Sequence, residues 1–559
     1  MRNIVVKVLN KALKEERINL KPKEIDSFIE IPPDSEMGDF AFPCFYLASK
    51  LKMTPHEVAL QIRQNIGTPP KAFQDIRVSG GYVNFVVDRK KFTESIIKEV
   101  ILQKQDYGKL HLGRGEKVLV EHTSINPNAS PHVGRARNAI IGDSIVRILR
   151  FMDYKPEVHY YVNDVSKQIA MLVLAKAEKL NFDSMLKAYS RISKKVSRSQ
   201  KMELEVFSLL EEFEKGNKTV SRKFKKIVDT CVKGQKEILG NLGINYDVFD
   251  YESSYLSKTK HLLTLFEKTK KLFKDKEGRI VLDQKGTSVQ VQMKSPILVL
   301  TRSNGTGLYP VRDLAYTIDK IQQSKKNILV LGEDQKLYFQ QIKEALALLK
   351  LNAPQVVHYS YILLRKKGKR KSKKMSTRKG DVVLLEDFLE EATKKAKKEI
   401  KKRKTSGNPK KVAIAAVKYS ILKNHNNKVI NFDLDEALRF EGDTGPYLLY
   451  SYARANSILK KSKIKPILKP RNELHEVEYA LIKKISLFHD VVYKAHKNLN
   501  PSLIANYSYQ LAQIFNEFYH SCKVVGDKEE FFRIAVVEIF KQVLGNALKL
   551  LGIEPIEKM

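Results

Sequence analysis

The chain has 559 residues, 43% of them hydrophobic, too long for one core and too apolar for a disordered protein, so about two to four domains are expected. The 101 Lys and Arg against 63 Asp and Glu leave a formal net charge of +38, which points either to a polyanionic partner or to a plainly Lys-rich composition. No apolar run reaches ~18 residues, the N-terminus MRNIVVKVLNKALKEERI reads as an amphipathic helix rather than a signal peptide, and the scattered Cys44, Cys231 and Cys522 suit a reducing cytosol and support neither a disulfide framework nor a metal site.

Residues 1–110 read as an α+β unit. A first helix leads to IPPDSEMGDFAFP, a helix runs near Pro55–Ile66, and IRVSGGYVNFVVD (76–88) is a strand pair with a Gly corner. YGKLHLGRGEK (107–117) reads as a linker. EKVLVEHTS (116–124) is a buried strand, Val133 to about Met152 a helix, and YKPEVHYYVND (154–164) a second strand. Strand, helix, strand in this span is a βαβ unit, hence a parallel sheet. Residues of about 165–275 read as an inserted helical subdomain. GRIVLDQKGTSVQVQMK (278–294) is expected to be a hairpin, ILVLGED (328–334) to resume the sheet, and HYSYILL (358–364) to add a strand. After Leu384 the spacing of apolar residues is helical almost to the end.

The stretch HTSINPNASPHVGRARNAIIGD (122–143) lies at the carboxyl end of the first sheet strand, where open α/β sheets bind ligands. A helix N-terminus offers free N–H groups to phosphate, His132 can donate to a phosphate oxygen, and Gly134 lets a flat base approach the backbone. The same residues also make an ordinary turn. KKMSTRKGDVVLLEDFL (373–389) follows a strand; Lys374, Arg378 and Lys379 can offset charge developing on a leaving pyrophosphate, or form a solvated basic loop.

Taken together, His-Val-Gly-Arg and Lys-Met-Ser-Thr-Arg resemble the HIGH and KMSKS signatures of class I aminoacyl-tRNA synthetases. Further stretches narrow the resemblance to arginyl-tRNA synthetase, in an archaeal-like form. They are YYVNDVSKQIAML (160–172), GTGLYPVRDLAY (305–316), LGEDQKLYFQQI (331–342), RFEGDTGPYLLYSYARA (439–455) and the C-terminal FYHSCKVV to LLGIEPIEKM. GDFAFPCFYLASKLKMTPHEVA (38–59) and VSGGYVNF (78–85) resemble that family's additional N-terminal domain.

The resemblance implies a Rossmann-like catalytic domain over 111–430, with the helical insertion, and an all-α anticodon-binding domain over 431–559; residues 1–110 would touch the tRNA elbow. It implies ATP with Mg²⁺, L-arginine and tRNA-Arg as partners, a cytoplasmic monomer, and amino-acid activation that waits for tRNA. His132, Gly134, Arg135, Lys374 and Arg378 are the expected catalytic residues, and Met375 and Ser376 join His132, Gly134 and Lys374 around ATP.

An arginine guanidinium needs carboxylate and carbonyl acceptors at the end of a pocket. Tyr309 and Asp313 are spaced i, i+4, so on a helix they face one way, and Asp313 can accept two parallel N–H bonds. The other reading of Asp313 is an ion pair with Arg312 or a nearby Lys. By resemblance Tyr309 and Asp313 read the guanidinium, Glu121 and Asn126 hold the substrate's polar groups including its amino end, and Gln335 lines the same pocket. Tyr447 and Tyr450 stand one helical turn apart with Arg454 a turn further, which makes either a stacking ladder for bases or half-buried helix packing. Tyr519 and Met559 match further anticodon contacts, and Asn84 with Phe85 the elbow contact. The chain departs from the family pattern at Arg135, usually His, at Ala129-Ser130, at Thr377, and at Gln335, where archaeal members often show His.

Overall fold

The computed structural model describes residues 1–559 apart from 33, 35–36, 365–372, 375–382, 463 and 465–472. It divides into two compact units, one of 1–104, 461–486 and 514–540, the other of 105–460, 487–513 and 541–559.

In the first unit, Tyr82–Val87 is the central strand of an antiparallel sheet, flanked by Phe40–Pro43 and Phe73–Ser79. The helix Pro55–Ile66 begins where Thr54 and Glu57 form a capping box and Pro55 fixes the first turn. The helix Glu476–Ser486 belongs to this unit too. Its Tyr479 hydroxyl and Lys483 ammonium donate to the buried Asp39 carboxylate at 2.9 and 3.0 Å.

The second unit is built on a parallel sheet. Its strands are β1 (Lys117–Glu121), β2 (Lys155–Val162), β3 (Val248–Tyr251), β4 (Lys326–Gly332) and β5 (Gln355–Tyr359), in spatial order β5-β4-β1-β2-β3. The chain order therefore reverses beside β1, the arrangement that opens a crevice at the carboxyl ends of the strands. The helices used below are α1 (Val133–Phe151), α2 (Lys218–Gly240), α3 (Tyr309–Gln323), α4 (Lys336–Leu348), α5 (Pro409–Leu422) and α6 (Gly445–Lys461).

The expected elements hold in outline, with four differences. The span 165–275 is not helical throughout: β3 lies inside it and pairs with β2 in register His159 to Val248. Four residues are too few to show a strand period. The expected hairpin over 278–294 has only its first arm. Ile280–Asp283 pairs with Leu272–Lys274 and Ile297–Val299, while Ser288–Val291 is a 3-10 turn started by the Thr287 hydroxyl accepting from Val289 N–H. HYSYILL is cut at Ser360, since β5 ends at Tyr359 and Ile362–Leu364 joins a different sheet. The helical C-terminal half is interrupted by Ile430–Phe432, which pairs parallel with Ile362–Leu364.

α1 is the axis of this unit, and its side chains are buried along nearly its whole length. It approaches the end of β1 so closely at Gly142 that a Cβ there would lie 2.3 Å from Cγ of His122. In an exposed helix Gly→Ala gains up to ~1 kcal/mol; here overpacking costs roughly 1–3 kcal/mol. Gly142→Ala is expected to lower the denaturant midpoint of unfolding, and an unchanged or raised midpoint would show that His122 moves aside freely.

Candidate active site

Thr123 and Ser124, just beyond β1, have φ of 78° and 41°. Left-handed backbone costs of order 1–3 kcal/mol per non-Gly residue, most for a β-branched one such as Thr. Hydrogen bonds from three elements hold the turn. From α1, the Asn138 side chain accepts from Thr123 N–H at 2.6 Å and donates to Val330 carbonyl at 2.8 Å. From β2, the Tyr160 hydroxyl accepts from Ile125 N–H at 3.2 Å and donates to Gln235 on α2 at 2.8 Å. Gln235 in turn donates to the Asn126 and Ala129 carbonyls at 3.0 and 2.9 Å. The inserted helix α2 thus fixes the approach to His132.

His132 is the N-cap of α1 but makes no side-chain cap. Burial and the nearby Arg135 charge push its pKa down to about 4, so the ring is neutral at pH 7. Its Nδ1 is buried and has no hydrogen-bond partner among the described residues. A neutral ring with an unpartnered nitrogen at the free N–H end of a long helix suits a phosphate-rich ligand. Gly134 and Arg135 follow in the first turn; both are half-buried, and among the described residues no carboxylate lies within ion-pair distance of Arg135.

The basic loop is tied to this turn from both ends. Before it, Leu363 pairs antiparallel with Lys374, and the fully buried Arg137 of α1 donates to the Ser360 and Asn426 carbonyls at 2.7 and 2.8 Å. Burial pushes the Arg137 pKa down to about 10, which leaves it charged. After it, Val133 N–H donates to Val383 carbonyl at 3.1 Å and Leu385 N–H to Pro131 carbonyl at 2.8 Å. Met375, Ser376, Thr377, Arg378 and Lys379 lie outside the described residues, as does the Lys374 side chain.

Of the residues expected to hold arginine, Glu121 and Asn126 lie at and beyond the carboxyl end of β1, and Tyr309 and Asp313 lie on α3. Glu121 ends β1, is buried, and forms an ion pair with the buried Lys320 of α3. Asn126 donates to Gln168 at 3.2 Å. Tyr309 and Asp313 occupy the first turns of α3, with Pro310 at its start. Tyr309 is 56% exposed, and its ring leans on Tyr338 of α4 with centroids 5.2 Å apart. Tyr338 donates to Asp313 at 2.8 Å. Burial raises the Asp313 pKa, and the Lys320 charge partly offsets this.

Asp313 is not the ion-pair partner of Arg312. Arg312 points to the buried Glu252 at 2.6 Å, and among the described residues no Lys or Arg lies within ion-pair distance of Asp313. Burial raises the Glu252 pKa to about 7 against the opposing Arg312 charge. Gln335 is exposed and closes the turn after β4. Lys320, Tyr338, Glu252, Arg137 and Gln235 escaped sequence reading. Lys320 alone had a local signal, since it lies at i+7 from Asp313 on one helix face.

Residues 96–434 match the family model of the class I (R) tRNA synthetase catalytic domain, residues 448–559 the DALR anticodon binding domain, and residues 1–87 the arginyl tRNA synthetase N-terminal domain. The chain belongs to the class I arginyl-tRNA synthetase family. The arginine–tRNA ligase of Methanocaldococcus jannaschii is 34% identical over 558 residues, covering 95% of each chain. That of Methanococcus maripaludis strain C7 is 33% identical over 100% of this chain and 99% of its own. The solved arginyl-tRNA synthetase of Thermus thermophilus is 26% identical and covers both chains fully at a TM-score of 0.81.

The synthetase's remaining expected contacts divide between the units. In the second, Tyr447 stands edge-on to Tyr509 with centroids 5.8 Å apart, and Arg454 lies 4.7 Å over the Tyr450 ring while donating to its hydroxyl at 3.1 Å. Both readings of the spacing thus have support: all three are half-buried, and one cation does stack on a tyrosine. Asn456 on the same helix donates to Glu557 carbonyl at 2.9 Å, two residues before Met559. In the first unit Tyr519 is 41% exposed. There Asn84 is 4% exposed and Phe85 fully buried, on opposite faces of the central strand.

His122 provides a test of the turn. Burial pushes its pKa from 6.5 down to about 4, and its Nδ1 is hydrogen-bonded with the Thr123 hydroxyl at 2.7 Å. Its neutral form stabilises the fold fully above pH 6.5, and this contribution is lost as pH falls toward 4. The amount is roughly 3 kcal/mol. The stability gap between the wild type and His122→Gln is expected to close by about that much between pH 7 and pH 4; a gap independent of pH would contradict the assignment.

Proposed function

We propose that this chain joins L-arginine to tRNA-Arg in two steps, consuming ATP, as a cytoplasmic monomer. Domains over 1–110, 111–430 and 431–559 serve tRNA elbow contact, catalysis and anticodon reading. In the first step the arginine carboxylate oxygen attacks the α-phosphorus of ATP and the bond to the β-phosphate oxygen breaks, giving arginyl-adenylate and pyrophosphate. In the second, a terminal ribose hydroxyl of tRNA attacks the activated carbonyl, loses its proton, and AMP leaves.

His132 and Gly134 at the start of α1 cradle the phosphates from one side, with the neutral imidazole donating an N–H. Lys374, Met375, Ser376 and Arg378 also serve ATP, and Arg135 keeps a cation near the phosphates or ribose. Among the described residues no three His, Cys, Asp or Glu side chains gather to hold a metal, so Mg²⁺ is read as travelling on the ATP phosphates and no step is assigned to it. Catalysis is then mainly positioning and charge stabilisation. Glu121 and Asn126 take the amino end of arginine, Asp313 and Tyr309 the guanidinium, with Gln335 at the rim. Tyr447, Tyr450, Arg454, Tyr519 and Met559 receive the anticodon.

The observation that carries the substrate assignment is Asp313, a desolvated carboxylate braced by Tyr338 with no cation of the described chain paired to it. Such a group awaits a cationic ligand. Citrulline, which has the shape of arginine without its charge, should be charged onto tRNA with kcat/KM lower by ~10⁴. Asp313→Asn should lower kcat/KM for arginine by roughly 100-fold or more. Wild-type kinetics in that variant would remove Asp313 from the pocket.

A further inference from the structure

Lys320 is the most costly residue in this region to explain as packing. It lies at the buried face of α3, 0% exposed. A buried ammonium persists only when paired and hydrogen-bonded. Its Nζ sits on the Glu121 carboxylate and 4.0 Å from the centre of the Tyr316 ring. It stands on the same helix face as Asp313, two turns on. The pocket wall therefore contains Glu121, Asp313 and an internal cation between them in charge, before any ligand arrives.

We propose that Lys320 is a positioning residue for arginine: its ammonium fixes the Glu121 carboxylate in the pocket wall and serves as a counter-charge that Glu121 and Asp313 share. The proposal rests on the reading of Glu121 and Asp313 as arginine-binding groups and assigns the residue that keeps them ready. With Lys320 present, the pair of carboxylates carries one net negative charge, which matches the single net positive charge of arginine. Without it, two carboxylates in a desolvated pocket repel each other, and the weaker-held one takes up a proton. The repulsion bears on both, and burial already pushes Asp313 toward its protonated form. It faces Glu121 from β1, Tyr161 from β2, Glu252 from the turn after β3, Tyr338 from α4, and Tyr309, Thr317 and Lys320 on its own helix. Lys320 is the foremost influence holding its pKa down. A protonated Asp313 cannot take a guanidinium as a charged fork.

The test is the pH dependence of KM for arginine in tRNA charging between pH 6.5 and 8.5. The wild type should be nearly flat. Lys320→Met should show KM rising by about tenfold per pH unit on the acid side, and Lys320→Arg should restore the flat profile. Where the Met variant does not fold, Lys320→Gln keeps a donor to Glu121 without the charge and should show the same acid-side rise. A flat profile in the folded, uncharged variant would overturn the proposal. Asp313→Asn measured alongside separates the two readings: if it leaves KM for arginine unchanged, the pocket itself is misassigned, whereas a raised KM there with a flat Lys320→Met profile rejects Lys320 alone.

Discussion

The left-handed turn at Thr123 and Ser124 is the constraint on which the site depends. β1 ends at Glu121, α1 begins at Val133, and the ten residues or so between them must bring a carboxylate, an amide and an imidazole to one rim. A relaxed extended exit would carry the chain past the crevice. The bend persists because α1, β2 and α2 each hold it by side-chain hydrogen bonds to backbone. Such over-determination is how strained backbone survives at functional positions. It also explains why Gly142 is needed: the turn pulls His122 against α1, and only a residue without a Cβ leaves room.

The site's electrostatics follow from burial. His132 is neutral at pH 7, so on the proposed reading α1 would meet phosphate with N–H groups and its dipole rather than with an imidazolium. The flanks of the basic segment pair with Leu363 and with the Pro131–Val133 stretch. On the proposed arginine side the logic is reversed. Carboxylates are gathered and partly compensated, Glu121 by Lys320 and Glu252 by Arg312, while Asp313 is held by the Tyr338 and Thr317 hydroxyls without an ion-pair partner among the described residues. On the proposed reading the paired charges shape the pocket and Asp313 selects the ligand.

Much of this was legible in the sequence because the informative residues are close in chain order. The strand, turn and helix over 116–152 and the helix face of Tyr309 and Asp313 need only local spacing, and the parallel sheet follows from the βαβ pattern. What was not legible depends on partners distant in sequence. Gln235 reaches Asn126 across more than a hundred residues, and Glu252 meets Arg312 across sixty. Neither carries a periodic signal. β3 was hidden because four residues in a helical stretch show no alternation. The burial of Asn84 in the central strand of its sheet was likewise not legible, because it depends on both flanking strands. The charge of +38 was the least informative feature, since it fits both a tRNA partner and a Lys-rich surface.

The most direct test of the account is ATP–pyrophosphate exchange measured with each amino acid in turn, with and without tRNA. The account predicts exchange with arginine alone, and only when tRNA is present. Exchange with a different amino acid would keep the class I chemistry and contradict the role given to Asp313. No exchange in any combination, alongside tight tRNA binding, would contradict the catalytic reading altogether and leave an RNA-binding protein disabled at the first signature, where Arg135 departs from the family pattern.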